Sequence, residues 1–266
     1  MGQELVALQA KLAEQAVAAA ENEAVSSGTF LSTKSGTLAF GDEVLPGNQV
    51  CVVIIDAVRE NTYYEGKFNP DVMTAPVCYA FGRDKDEDMG PHPSMQAFPE
   101  DFVPQNDTCR GCPKNEWGSA DTGRGKACQN RRRLVLLPAG SYVPKRGSRD
   151  FDLELFNEEE HFRTADPAFL KLPPTSVEEW SKYVSQISAA HRLPPHGVIT
   201  RIYIETHPKH QYHVKFEMVE KVPDDQLAAI MERHEQSVAM PYVGYQPPEQ
   251  GDSTVAPGAV RGLRRR

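Results

Sequence analysis

Between Gln49 and Arg59 apolar side chains follow one another almost without a break. Val50, Cys51, Val52, Val53, Ile54, Ile55, Ala57 and Val58 are bounded by Pro46-Gly47-Asn48 and Glu60-Asn61. A β-branched run of that length predicts a central strand buried on both faces. Val198 to Glu205 and Tyr212 to Val219 alternate instead, with Tyr212, Val214, Phe216 and Met218 on one side and His213, Lys215 and Glu217 on the other. They predict a hairpin joined through His207-Pro-Lys-His210. Shorter strands are expected at Leu38 to Phe40, Val77 to Phe81 and Arg132 to Leu137, with a further start at Thr62 to Tyr64.

Helical spacing appears in three places. Residues 4 to 24 repeat Leu5, Leu8 and Leu12 among Ala, Gln, Glu and Lys, which predicts a helix with a narrow apolar stripe. It reads either as a surface helix or as a contact arm for a second subunit or partner. Residues 175 to 191 place Trp180, Val184 and Ile187 on one face, open on a Ser176–Glu179 capping box and stop at Pro194-Pro195. A last helix is expected from Asp224 to Val238. The predicted organisation is an α+β body at 28–243, an N-terminal helical arm at 1–27 and a disordered tail at 244–266.

Cysteine spacing supplies the strongest chemical signal. Cys109-Arg-Gly-Cys112 is a CxxC knuckle, with Cys128 following and Cys78 preceding it. Thiolates at that spacing suit a closed, structural Zn²⁺ site rather than a catalytic one with an open position. Cys109, Cys112 and Cys128 form the core of the set, and Cys78 or His92 is the fourth ligand. Cys51, inside the apolar run, reads as a core thiol. No export signal or apolar span of membrane length is recognisable, so reduced thiols and a cytoplasmic setting without membrane are expected.

Two other motifs fail. Gly118 to Gly123 has phosphate-loop spacing, but Arg124 and Gly125 stand where Lys and Ser or Thr are needed. A nucleobase deaminase needs His-x-Glu and Pro-Cys-x-x-Cys, whereas His92 precedes Pro93 and Thr108 precedes the knuckle. No enzyme activity is expected.

Charge changes the picture more than composition does. The net charge of −8 excludes a uniformly basic coat protein. Yet residues 109–149 hold Arg110, Lys114, Arg124, Lys126, Arg131, Arg132, Arg133, Lys145, Arg146 and Arg149 against Glu116 and Asp121, a local balance of +8. Residues 84–107 carry seven acids and one Lys. The basic segment can track a phosphate backbone or pair with that acidic loop. Tyr63, Tyr79, Phe81, Trp117 and Tyr142 flank it, and aromatic faces beside a cationic groove suit single-stranded nucleic acid.

Several segments together resemble a family. They are Pro76-Val-Cys78, Gln105, Cys109 to Ser119, Gly125-Lys-Ala-Cys128, Arg132-Arg-Leu134, Leu172-Pro-Pro-Thr-Ser176 and the strand Val198 to Ile204. The chain is similar, over roughly residues 30–240, to zinc-containing single-stranded DNA-binding proteins of bacteriophage replication modules. The resemblance implies an OB-like β-barrel with a zinc-binding insertion at 78–133 and supports Cys78 as fourth ligand. It implies a protein that coats single-stranded DNA in phage replication or recombination, in the host cytoplasm, with phage replication proteins or a second copy as partners. The alternative is a zinc-stapled adaptor for protein–protein contacts. Family members usually end in an acidic tail, whereas this sequence ends Arg264-Arg-Arg266.

Overall fold

The computed structural model describes residues 30–41, 43–66, 75–84, 88–121, 123–240, 242 and 244–245. The predicted arm at 1–27 and all but Gly244 and Tyr245 of the predicted tail lie outside them.

The chain builds a mixed sheet of ten strands. In chain order these are β1 (Phe30–Ser32), β2 (Ala39–Phe40), β3 (Glu43–Val44), β4 (Gln49–Tyr63), β5 (Cys78–Gly82), β6 (Cys128–Pro144), β7 (Phe151–Leu155), β8 (Ala168–Leu172), β9 (Val198–His207) and β10 (Gln211–Lys221). The main path runs β10-β9-β4-β6-β8-β1-β2-β3, with β5 added on β4 and β7 on β6. Among the described residues, only β1 and β8 pair in parallel. The expectation of α+β architecture is met and that of an OB-like barrel is corrected. Among the described residues no pairing joins β10 to β3, so the sheet stays open. An OB barrel closes five strands. Here two strands of 15 and 17 residues form the spine of a wide sheet.

β4 explains why this sheet sits at the centre. It pairs with β6, β5 and β9, and its apolar run is buried on both faces as the pattern predicts. Val52 and Ile54 pack with Leu134, Leu136, Leu170 and Ile202 beneath helix α2 (Val177–His191). Cys51, Val53 and Ile55 pack on the opposite face with Val135, Leu137 and Ile199. Helices α1 (Glu159–Thr164) and α3 (Leu227–Ala239) cover that face through Phe162, Ala229 and Ile230. Cys51 is fully buried, and burial, then the nearby Glu220, raises its thiol to about 12.

A register shift between Ile54 and Asp56 lets β4 serve two further purposes. One extra residue in a strand flips which side chains share a face. Beyond it, Val58 and Glu60 lie with Arg133 and Phe81, and Asn61 and Tyr63 turn their backs to them. This distal part carries a third cluster of Val58, Tyr79, Phe81, Met95 and Phe102, covered by Tyr242 and Tyr245. The predicted body therefore extends to Tyr245.

Helix α2 keeps its predicted face, with Trp180, Tyr183 and Ile187 buried. It ends with Arg192 in the left-handed region (φ 56°), immediately before Leu193-Pro194-Pro195. Its capping box does not form. Ser176 makes no cap bond. Its Oγ accepts instead from the Val214 backbone N–H at 2.9 Å, and Glu179 accepts from Lys215 at 2.7 Å. Both side chains dock the helix onto β10. Satisfying a buried strand N–H outweighs a cap that water could replace.

Candidate nucleic-acid interface

The connection from β5 to β6 carries most of the chemistry anticipated from sequence. Its two ends are sheet strands rather than an insertion. Cys78 on β5 and Cys128 on β6 are both register partners of Tyr63 on β4, so the sheet presents them on one face to either side of that ring. The connection folds back over this face and adds Cys109 and Cys112, and all four thiols line one narrow pocket. Gly111 supplies the left-handed residue of the knuckle (φ 73°). His92 is not in the lining. Its Nδ1 is held by the Ser94 hydroxyl at 2.8 Å, and its ring stacks on Tyr79.

Among the described residues, no carboxylate or imidazole lines the pocket. Burial raises the Cys78, Cys109 and Cys128 thiols, Cys128 to about 12, and each neighbouring thiolate raises them further. The Gln105 backbone N–H acts in the opposite sense on Cys78, and the Asn61 side chain on Cys109. A bound divalent cation would supply the charge that the raised Cys78, Cys109 and Cys128 thiols lack and would let them coordinate as thiolates. The donor chemistry fits Zn²⁺. The four sulfurs nevertheless share a pocket without forming a closed coordination sphere. Among the described residues, the group that places three metal-ligating atoms within 4.8 Å of one another is His207, His210 and His213.

The basic segment is not one stripe. Strand β6 rises about 3.3 Å per residue, which separates its ends by up to roughly 50 Å. Arg110, Lys114, Arg124 and Lys126 lie on the knuckle at one end. Lys145, Arg146 and Arg149 lie at the β6–β7 turn at the other. The alternative of pairing with the acidic loop finds no support among the described residues, where Arg110, Lys114, Arg124, Lys126, Arg131 and Arg132 make no ion pair. Lys145 pairs with Asp152 at 2.9 Å.

Trp117 is 79% exposed on the knuckle, and the Lys126 ammonium lies 5.8 Å from its ring centre. Lys114 lies 4.8 Å from the ring of half-buried Tyr63, and its hydrogen bond with the Tyr63 side chain raises the lysine's pKa. Lys126 also donates to the Asn115 side chain at 3.2 Å, and the Ser119 hydroxyl ties the loop to Lys114 and Glu116.

Five other expected contacts are placed elsewhere. Tyr79 and Phe81 are 1% and 6% exposed in the third cluster, so they pack the interior and offer no face to a base. Arg133 is buried as well. Its guanidinium donates to Glu60 at 2.6 Å and lies 4.6 Å from the Phe81 ring. Half-buried Arg131 donates to Gln129. Half-buried Arg132 bonds the neighbouring carbonyl, and burial, then Arg59, lowers its pKa. Among the described residues, only the Arg133 side chain of these three strand arginines bonds a neighbouring strand, through Glu60.

Around Glu60 the chain assembles a network that no local motif announces. Glu60 is fully buried and also accepts from the Tyr245 hydroxyl at 2.7 Å, while Lys171 donates to that hydroxyl at 2.6 Å. Burial alone would raise the Glu60 carboxyl. Arg133, Lys171 and Tyr245 outweigh it and hold the carboxyl below its ordinary value. Burial lowers Lys171 to about 8 despite Glu60.

At the far end, Tyr142 and Arg149 line an open groove of about 520 Å³ with Gln49, Phe151, Arg201 and Glu217. Four distant segments build it, so sequence spacing could not reveal it. Arg201 is already engaged there, donating to Gln49 at 2.7 Å and Glu217 at 3.0 Å. No helix among the described residues is long and apolar enough to cross a membrane. Comparison with protein-family models, curated proteins and solved structures finds no match to this chain.

Proposed function

We propose that this chain binds single-stranded DNA through the β5–β6 knuckle, with Zn²⁺ on Cys78, Cys109, Cys112 and Cys128 as its structural staple. The observation that carries the reading is Trp117. Trp117 is 79% exposed, and Lys126 lies beside it on a knuckle whose four cations make no ion pair among the described residues. Exposed aromatic faces stack bases of any sequence, and unpaired cations take phosphates. The zinc would hold together a connection that has few apolar residues of its own, and it leaves no position open for catalysis.

The sequence resemblance to phage single-stranded DNA-binding proteins supports a place in phage DNA replication or recombination, in the host cytoplasm. Partners there would be replication proteins or a second copy. The reading assigns no chemical step to the protein.

Fluorescence anisotropy with a labelled single strand and the matching duplex, each at about 50 and 200 mM salt, tests it. Tighter single-strand binding that weakens with salt is expected. Equal or tighter duplex binding would contradict the assignment to single strands, and absence of binding at the lower salt would refute it.

A further inference from the structure

The tip of the β9–β10 hairpin gathers three of the chain's eight histidines. His207 closes β9, His210 sits in the three-residue turn with Pro208 and Lys209, and His213 lies on β10. The register pairs His207 with Gln211, so His213, two residues on, shares its face. Gln211 takes the left-handed conformation (φ 65°) that lets a three-residue turn close, and Pro208 fixes the backbone on the way in. The ring centres of His207 and His213 are 4.0 Å apart, those of His207 and His210 5.0 Å, and those of His210 and His213 5.4 Å. One nitrogen from each ring lies within 4.8 Å of the other two.

A second observation points to a ligand. The Nε2 atom of His213 is buried and has no hydrogen-bond partner among the described residues. A buried ring nitrogen left without a partner costs free energy that a ligand recovers. The Nδ1 of His207 accepts from the Lys209 backbone N–H at 3.3 Å, which puts the neutral ring's proton on Nε2, so a metal would either replace this long contact at Nδ1 or shift the proton to Nδ1 to take Nε2. Acidic groups stand nearby. Glu205 is the register partner of His213, and Glu179 reaches Lys215 from helix α2.

We propose that His207, His210 and His213 form a binding site for a late first-row divalent cation of the zinc and nickel class. Three neutral imidazoles select such ions over Mg²⁺ or Ca²⁺, and three protein ligands leave the remaining positions to water or an incoming group. The rings lie nearly parallel, at 7° to 19°. To hold a metal the rings would turn edge-on toward one point by rotation about χ2, His210 from the exposed turn and His207 and His213 from half-buried strand positions. The site is separate from the cysteine pocket and does not depend on nucleic-acid binding.

Equilibrium dialysis of the full untagged chain against Ni²⁺, followed by metal analysis, tests the proposal. His207→Ala and His210→Ala should each weaken nickel retention by roughly tenfold or more. His191→Ala, an exposed control on α2, should not change it, and Cys112→Ser should leave the His210-dependent part intact. Equal retention by the wild type and both triad variants would overturn the site. So would loss of that retention in Cys112→Ser, which would assign the nickel to the thiols.

Discussion

Replacing Glu60 by alanine is expected to lower stability by about 3–5 kcal/mol, because it leaves buried cations without their counter-charge. Glu60 is wholly enclosed, accepts from Arg133 and Tyr245, and lies 3.8 Å from Lys171. Arg133 and Lys171 face one another across the β6–β8 register. Without the carboxylate they become a like-charge pair in a partly buried place. Urea denaturation followed by circular dichroism reads the change as a lower midpoint at similar slope. A loss under about 1 kcal/mol would mean that water reaches the network and screens it.

The same residue gives the fold a signed dependence on pH. The folded Glu60 carboxyl sits below its ordinary value of 4.5. On acidification the unfolded chain therefore takes up the proton first, and stability falls. The contribution is present above pH 4.5 and is lost as pH falls through the folded value. Glu60→Gln lacks it, so the stability gap between wild type and variant should narrow on acidification. A constant gap would place the titration on another group.

The second large effect concerns the knuckle. Changing Arg110, Lys114, Arg124 and Lys126 together to Ser should flatten the log–log salt dependence of single-strand binding by up to about 2.8, since each phosphate contact contributes about 0.7. Changing Lys145, Arg146 and Arg149 to Ser should leave the slope near wild type, because that cluster stands at the other end of β6 and Lys145 is already paired. The reverse result would move the interface to the groove beside Tyr142 and Arg201. A triple change at Arg131, Arg132 and Arg133 would be a poor probe, because it breaks the Glu60 ion pair and unsettles the fold.

Much of the scaffold is legible in the sequence where a single element decides the outcome. The apolar run of β4, the Trp180 face of α2 and the alternation in β9 and β10 each belong to one element and survive into the structure. The four cysteines line one pocket, but the pairing of β5 and β6 with Tyr63 of β4, which spacing does not show, puts Cys78 and Cys128 there, and among the described residues the four are not arranged as a metal site. What is lost belongs to partners far along the chain. Ser176 and Glu179 look like a cap until Val214 and Lys215 claim them. Arg133 looks like one cation in a run until the shifted register of β4 sets Glu60 beside it. Tyr245 looks like the start of a tail until it reaches the same carboxylate. Ten bases look continuous until a 17-residue strand separates them.

The most direct test of the central claim is the intrinsic fluorescence of the protein during titration with an unlabelled thymidine oligonucleotide. Trp117 is 79% exposed and Trp180 only 5%, so a base stacking on the knuckle acts on Trp117 alone. The account predicts saturable quenching at about 50 mM salt that weakens as salt rises and disappears in Trp117→Phe. Unchanged emission of the wild-type protein at that salt, or quenching that persists in Trp117→Phe, would contradict it.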